Sequence, residues 1–213
     1  MLSIVTTGCI GDSLLTRLLQ HQNASNFKIT PLIRGDESRV KKLASRGVTS
    51  LISSNDSSDI LQKAASESDV VMHTANSIAG IAGKDLRGKK GLTSVDNDLD
   101  SDQINAVVND KTYSKINLPI INAVQGNPEL KNVIVLPPFI YATVTGLFNR
   151  ISVQLPTLVP VALKRVKGET IGSGDTAWNT VHIPDLVDCY ILLLDQLLAA
   201  YGPDPKSNAK PSS

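Results

Sequence analysis

The sequence has only two cysteines, Cys9 and Cys189, in 213 residues. Two thiols are too few for a disulfide framework, so a reducing compartment is the default and a cytoplasmic location is expected. Charge of one sign is also lacking: 21 Lys and Arg stand against 20 Asp and Glu, for a formal net charge of +1. Near-neutrality gives no electrostatic reason to expect nucleic acid or a membrane as partner. No apolar run approaches the roughly 20 residues that span a bilayer. The amino-terminal apolar stretch has no basic flank and reads as a first strand, not a signal peptide. His21, His73 and His182 are scattered without metal-ligand spacing, and no metal is expected.

What the sequence does have is an ordinary globular composition, 41% hydrophobic and 19% charged, in a chain long enough for one well-buried core. The organising stretch is its first twenty residues. Residues 2–6 are apolar and β-branched, the pattern of a strand. Residues 7–11, TGCIG, read as a tight glycine turn. From Asp12 the period changes, and Leu14, Leu15, Leu18 and Leu19 fall on one helical face. Strand, glycine turn and helix together set a helix amino end under an anion, where free N–H groups and the helix dipole favour negative charge. Only Gly8 and Gly11 remain of a three-glycine dinucleotide fingerprint, and glycines in this spacing also serve turn geometry alone. Cys9 at the helix start reads either as a thiol of lowered pKa or as a small filler of the turn.

Further along, residues 28–33 form a strand pattern, with Pro31 awkward for a central strand. Residues 37–46 form a helix pattern stopped by Gly47, and residues 48–52 a third strand. A polar loop can cap a helix over 59–67. Residues 69–73 read as a fourth strand, apolar on both faces. Strands alternating with helices of about ten residues argue for βαβ units and a parallel sheet. Residues 77–102 hold a basic cluster and an acidic cluster, read as a solvated loop. Residues 99–108 suit a helix, and 112–125 suit either helix or strand. Residues 132–136, NVIVL, form a buried-strand pattern ended by Pro137. An irregular segment follows, then a helix over 152–167 interrupted by Pro156 and Pro160. Short extended pieces are expected at 170–174 and 177–181. Pro184 opens a long helix to about Tyr201. Residues 203–213 read as a disordered tail.

Six segments in order, TTGCIGDSLLTRLL, ITPLIRGDE, ASESDVVMHTAN, DLDSDQINAV, NVIVLPPFIYATVTG and WNTVHIPDLVDCYILLLD, resemble the extended short-chain dehydrogenase/reductase superfamily. The resemblance is to its NAD-dependent epimerase/dehydratase type, in the nucleoside-diphosphate-sugar-epimerase-like form of fungal members. It implies an α/β fold: a Rossmann-type doubly wound parallel sheet over residues 1–202, with residues 139–183 as a reduced substrate lobe. It implies NADP as cofactor, with NAD as the other choice. Gly8, Cys9, Ile10 and Gly11 would meet the pyrophosphate. Arg34 would pair with a ribose 2′-phosphate, although alone it reads equally as a surface turn residue. Asp56 would touch the adenine, or else cap a helix. His73, Thr74 and Ala75 would line the centre of the cofactor. Pro137 and Ile140, with Tyr141, would lie beside the nicotinamide, where Leu136 replaces the family's arginine and Ala142 its glycine. His182 and Asp185 resemble a structural His-x-x-Asp pair. A small-molecule substrate is implied, and a homodimer is one admissible assembly.

The chain departs from the family where chemistry is done. It lacks the first fingerprint glycine, and residues 77–96 hold no strand carrying a catalytic Ser or Thr. Tyr113 and Lys115 are the nearest echo of the family's Tyr-x-x-x-Lys pair. They stand two apart rather than four, so a regular helix points them to different sides. Two functions follow. The first is an NAD(P)-dependent oxidoreductase or epimerase-like protein acting on a small carbonyl or alcohol. The second is an inactive dinucleotide-binding or regulatory module.

Overall fold

Residues 2–5, 9–33, 37–53, 58–74, 120–148, 154–168 and 179–201 are described by the structure, a computed structural model. The protein is mixed α/β and divides into two units. The first comprises Met1–Asn76, Ile140–Thr157 and Val181–Ser213, and the second Ser77–Phe139 and Leu158–Thr180.

The first unit starts with alternating strands and helices: β1 (Leu2–Val5), α1 (Cys9–Leu19), β2 (Ile29–Ile33), α2 (Glu37–Ala44), β3 (Leu51–Ile52), α3 (Ser58–Ser66) and β4 (Val70–His73). A short 3₁₀ turn, Ala24–Asn26, leads into β2. The four strands are parallel and ordered β3-β2-β1-β4. The chain builds outward from β1 to β3, then returns to the other side of β1 for β4. Val5 therefore stands opposite both Leu32 and His73.

Pro31 is tolerated in β2 because β3 is so short. β3 pairs only with Leu32 and Ile33, so at Pro31, opposite Ile4, β2 has a ladder on one side alone. The expected third strand shrinks because Val48 is used elsewhere. Its N–H closes the end of α2 on the Leu43 carbonyl at 3.1 Å, and the Gly47 N–H bonds the Ala44 carbonyl at 2.9 Å. Gly47 has φ +74°, the left-handed conformation this ending requires, and Leu43 and Val48 are buried together beneath it.

α1 begins at Cys9, one turn earlier than the expected start at Asp12. Gly11 lies on the same stripe as Leu14, Leu15 and Leu18, at positions i, i+3, i+4 and i+7, but has no side chain to announce it. The three leucines are fully buried. α1 packs on the last helix, α5 (Ile183–Tyr201), whose buried face is Ile183, Leu186, Val187, Ile191 and Leu194. Two polar contacts flank that seam, Arg17 to Asp188 at 3.2 Å and His21 to Asp195 at 3.2 Å. The Asn23 N–H donates to His21 Nδ1 at 3.1 Å, which leaves the Nε2 proton for Asp195. Pro184 is the second residue of α5, where its missing N–H is harmless.

β4 corrects the expectation of a strand apolar and buried on both faces. Val70 and Met72 are half-buried, while Val71 and His73 are exposed. β4 is the end strand of the sheet among the described residues, and only one of its faces is covered.

A second, two-stranded sheet joins β5 (Phe139–Tyr141) to β6 (Thr180–His182). In the second unit residues 120–126 are helical, so the helix alternative holds there, and 127–138 form an irregular connection. The expected buried strand at 132–136 is absent: Val133 and Leu136 are 48% and 56% exposed. β-branched residues make a strand only where a neighbour supplies a hydrogen-bond ladder, and this segment joins none among the described residues. α4 (Gln154–Arg165) runs through Pro160 instead of stopping there. The expected helix at 99–108, the extended piece at 170–174 and the tail at 203–213 lie outside the described residues. Among the described residues no helix is long and apolar enough to cross a membrane.

Candidate functional site

Strand order reverses between β1 and β4, and in parallel sheets a crevice opens beyond the carboxyl ends of two such strands. Three residues after β1 the chain enters α1, so the amino end of α1 stands at this reversal. The first-turn N–H groups of a helix have no acceptor within the helix, and the dipole adds a partial positive charge. Cys9 and Ile10 in this turn are half-buried and Gly11 is buried. On the β4 side, His73 ends the strand opposite Val5 and Thr74 follows, half-buried. His73 presents part of its ring to solvent, and loss of water around the rest lowers its pKa.

Burial also decides the state of Cys9. The first-turn N–H groups of Cys9 and Ile10 favour a thiolate, but burial outweighs them, and with a smaller push from the Asp12 charge it raises the thiol pKa. The reading of Cys9 as an activated thiol is thereby corrected: a dipole lowers a thiol pKa only where the thiolate is not stripped of water.

The strongest polar feature of the turn is Asp12, a residue that local pattern does not single out. It is 4% exposed. Its Oδ1 accepts the Leu147 N–H at 2.9 Å and its Oδ2 accepts the Phe148 N–H at 2.6 Å. Residues 146–148 thus form a strap laid on the first turns of α1. The approach is so close that a Cβ on Gly146 would stand 2.2 Å from Asp12 Oδ2. Lys42 of α2 donates to the Leu147 carbonyl at 2.9 Å, and Arg39 and Lys42 lie 5.3 and 5.4 Å from the centre of the Phe148 ring. Ser13, next to Asp12, is 1% exposed, and its hydroxyl has no hydrogen-bond partner.

The Asp12 carboxylate meets two N–H groups of the strap, while the N–H groups of Cys9 and Ile10 turn toward the Cys9 sulfur, so an anion at this turn takes them from the thiol. Gly8, Arg34, Asp56, Ala75, Tyr113 and Lys115 lie outside the described residues. Pro137 lies in the irregular connection of the second unit and Ile140 on β5.

The PPFIYA and HxxD segments do meet. The Tyr141 and His182 rings lie 5.4 Å apart, and His182 Nδ1 is 3.7 Å from Asp185 Oδ1. Ala142 has φ +90°. This is a left-handed conformation that a side chain disfavours.

Among the described residues no group of three or more His, Cys, Asp or Glu could hold a metal ion. No protein family, no curated protein and no solved structure matches the chain.

Proposed function

We propose that the chain is a nicotinamide-dinucleotide-binding protein of Rossmann type. In this reading it prefers NADP to NAD and acts as an oxidoreductase or epimerase-like protein on a small carbonyl or alcohol. The observation that supports this most is the parallel order β3-β2-β1-β4 with α1 entered three residues after β1. That arrangement sets a helix amino end at the reversal point, where doubly wound sheets take nucleotides.

A bound dinucleotide supplies hydride transfer. The chain holds and orients it. The N–H groups of Cys9, Ile10 and Gly11 carry the diphosphate, with Gly8 leaving room for it. Arg34 pairs with the 2′-phosphate, and Asp56 accepts from the adenine amino group. The backbones of Thr74 and Ala75 line the centre beside a neutral His73. Ala142 adds support of its own, since its positive φ is the conformation that the glycine of the resembled motif would supply.

The spacing of Tyr113 and Lys115 favours a second reading, a dinucleotide-binding module without turnover. A tyrosine passes a proton best beside a lysine that lowers its pKa, and residues two apart do not share a helix face. NADPH oxidation over a panel of small aldehydes and ketones separates the two. Turnover above background, lost in Tyr113→Phe, carries the enzyme reading. Saturable NADPH binding with no turnover carries the module.

A further inference from the structure

The strap is held from two sides by groups of opposite charge. Asp12 takes its N–H groups. From α2, Lys42 takes its Leu147 carbonyl, and Arg39 and Lys42 face its Phe148 ring. The two cations are three residues apart on α2 and so share a side of that helix. α2 follows the carboxyl end of β2 as α1 follows that of β1, and parallel strands end at one edge of a sheet. Arg39 is in the first turn of α2. A ligand reaching from the amino end of α1 toward the end of β2 therefore runs toward Arg39, with Lys42 one turn further along α2.

We infer that Arg39, Lys42 and Phe148 form a phosphate-responsive latch. A phosphomonoester on a ligand bound at the carboxyl ends of β1 and β2 draws both cations off the Phe148 ring and the Leu147 carbonyl. The strap then loses these contacts and keeps the Leu147 and Phe148 N–H bonds to Asp12. The inference rests on the dinucleotide reading for where the ligand lies.

The direction of the exchange follows from the partners. A guanidinium or ammonium gains more from a phosphate oxygen than from a ring face at a solvent-reached site, because the first pairing is between full charges. Nothing covalent changes. The latch trades two ring contacts and one carbonyl bond for bonds to phosphate. Reciprocity then requires that whatever weakens the closed strap strengthens phosphate binding by the same factor. A dinucleotide with no 2′-phosphate has nothing to offer Arg39 and Lys42 and leaves the strap closed.

The test titrates the full-length wild-type protein and Phe148→Leu with NADPH and NADH in a calorimeter, and follows exchange of the Leu147 and Phe148 amides by NMR. Leucine keeps an apolar side chain and removes the ring face. The latch predicts that Phe148→Leu binds NADPH about threefold more tightly than wild type, and NADH equally. It predicts faster exchange of both amides in wild type with NADPH and unchanged exchange with NADH. Equal NADPH affinity in the two proteins, or slower exchange with NADPH, overturns the latch and leaves the dinucleotide reading standing. If neither nucleotide binds either protein, the dinucleotide reading fails. Inorganic phosphate then decides the latch in wild type: faster exchange of the two amides upholds it and unchanged exchange overturns it.

Discussion

Asp12 accepts the backbone N–H of Phe148 at 2.6 Å across 136 positions of sequence. This bond, with its twin from Leu147, ties the helix that follows the first strand to a segment from the far half of the chain. Removing the carboxylate in Asp12→Ala leaves two partly buried N–H groups without their acceptor. The expected loss is about 2 kcal/mol of folding stability, read as a shift in the urea midpoint.

Gly146→Ala tests the same contact from the other side. The new methyl would stand 2.2 Å from Asp12 Oδ2 and 2.4 Å from its Cγ. Overpacking of this kind costs roughly 1–3 kcal/mol. Asp12→Ala removes the atoms in the way, so Gly146→Ala costs much less in that background. A double-mutant cycle with a coupling near zero would contradict the contact.

Among the described residues two non-glycine residues hold positive φ, Ala142 at 90° and Val166 at 54°. Val166 ends α4 with the same pair of bonds by which Gly47 ends α2: its N–H to Leu163 at 3.1 Å and that of Lys167 to Ala162 at 3.2 Å. One chain thus uses glycine and valine in one motif, and only glycine suits it. Ala142→Gly and Val166→Gly are each expected to raise stability by about 1 kcal/mol, and Gly47→Ala to lower it by about as much. Thermal melts of the three variants check the signs.

Burial of Cys9 sets an order of reactivity. Its raised pKa leaves less thiolate at neutral pH, while Cys189 is exposed. Iodoacetamide is expected to label Cys189 first and Cys9 only slowly. Mass spectrometry of peptides from a time course reads the order directly, and faster labelling of Cys9 would contradict it.

His73 gives stability a pH dependence of known sign. Its folded pKa lies below the ordinary value of 6.5. Above that pH the ring is neutral in both states and contributes nothing. As pH falls through 6.5 the unfolded chain takes a proton that the fold resists, so stability drops on acidification. Urea midpoints measured from about pH 8 to about pH 5 should fall less in His73→Gln than in wild type.

The first seventy residues were legible because their signals are local. The run to Val5, the leucines of α1, the stop at Gly47 and the apolar run of β4 each mark an element within a few neighbours. Boundaries moved where one residue serves two elements, as Val48 does when it closes α2 instead of opening β3. Residues 132–136 misled because a strand is a partnership, and their β-branched composition does not report whether a ladder exists. The Asp12 contact left no trace at either end, since an aspartate in a first helical turn already has a local reason to be there. Ala142 drew notice only through a resemblance, and its positive φ is a conformation that alanine itself does not signal.

The proposed function places a phosphorylated nucleotide at the amino end of α1, at the β1–β4 reversal. Calorimetric titration of the full-length protein with NADPH and NADH in parallel tests it most directly. Saturable one-to-one binding of both is expected, with NADPH tighter by about tenfold through its 2′-phosphate. Absence of heat and of any rise in melting temperature with either nucleotide would contradict it.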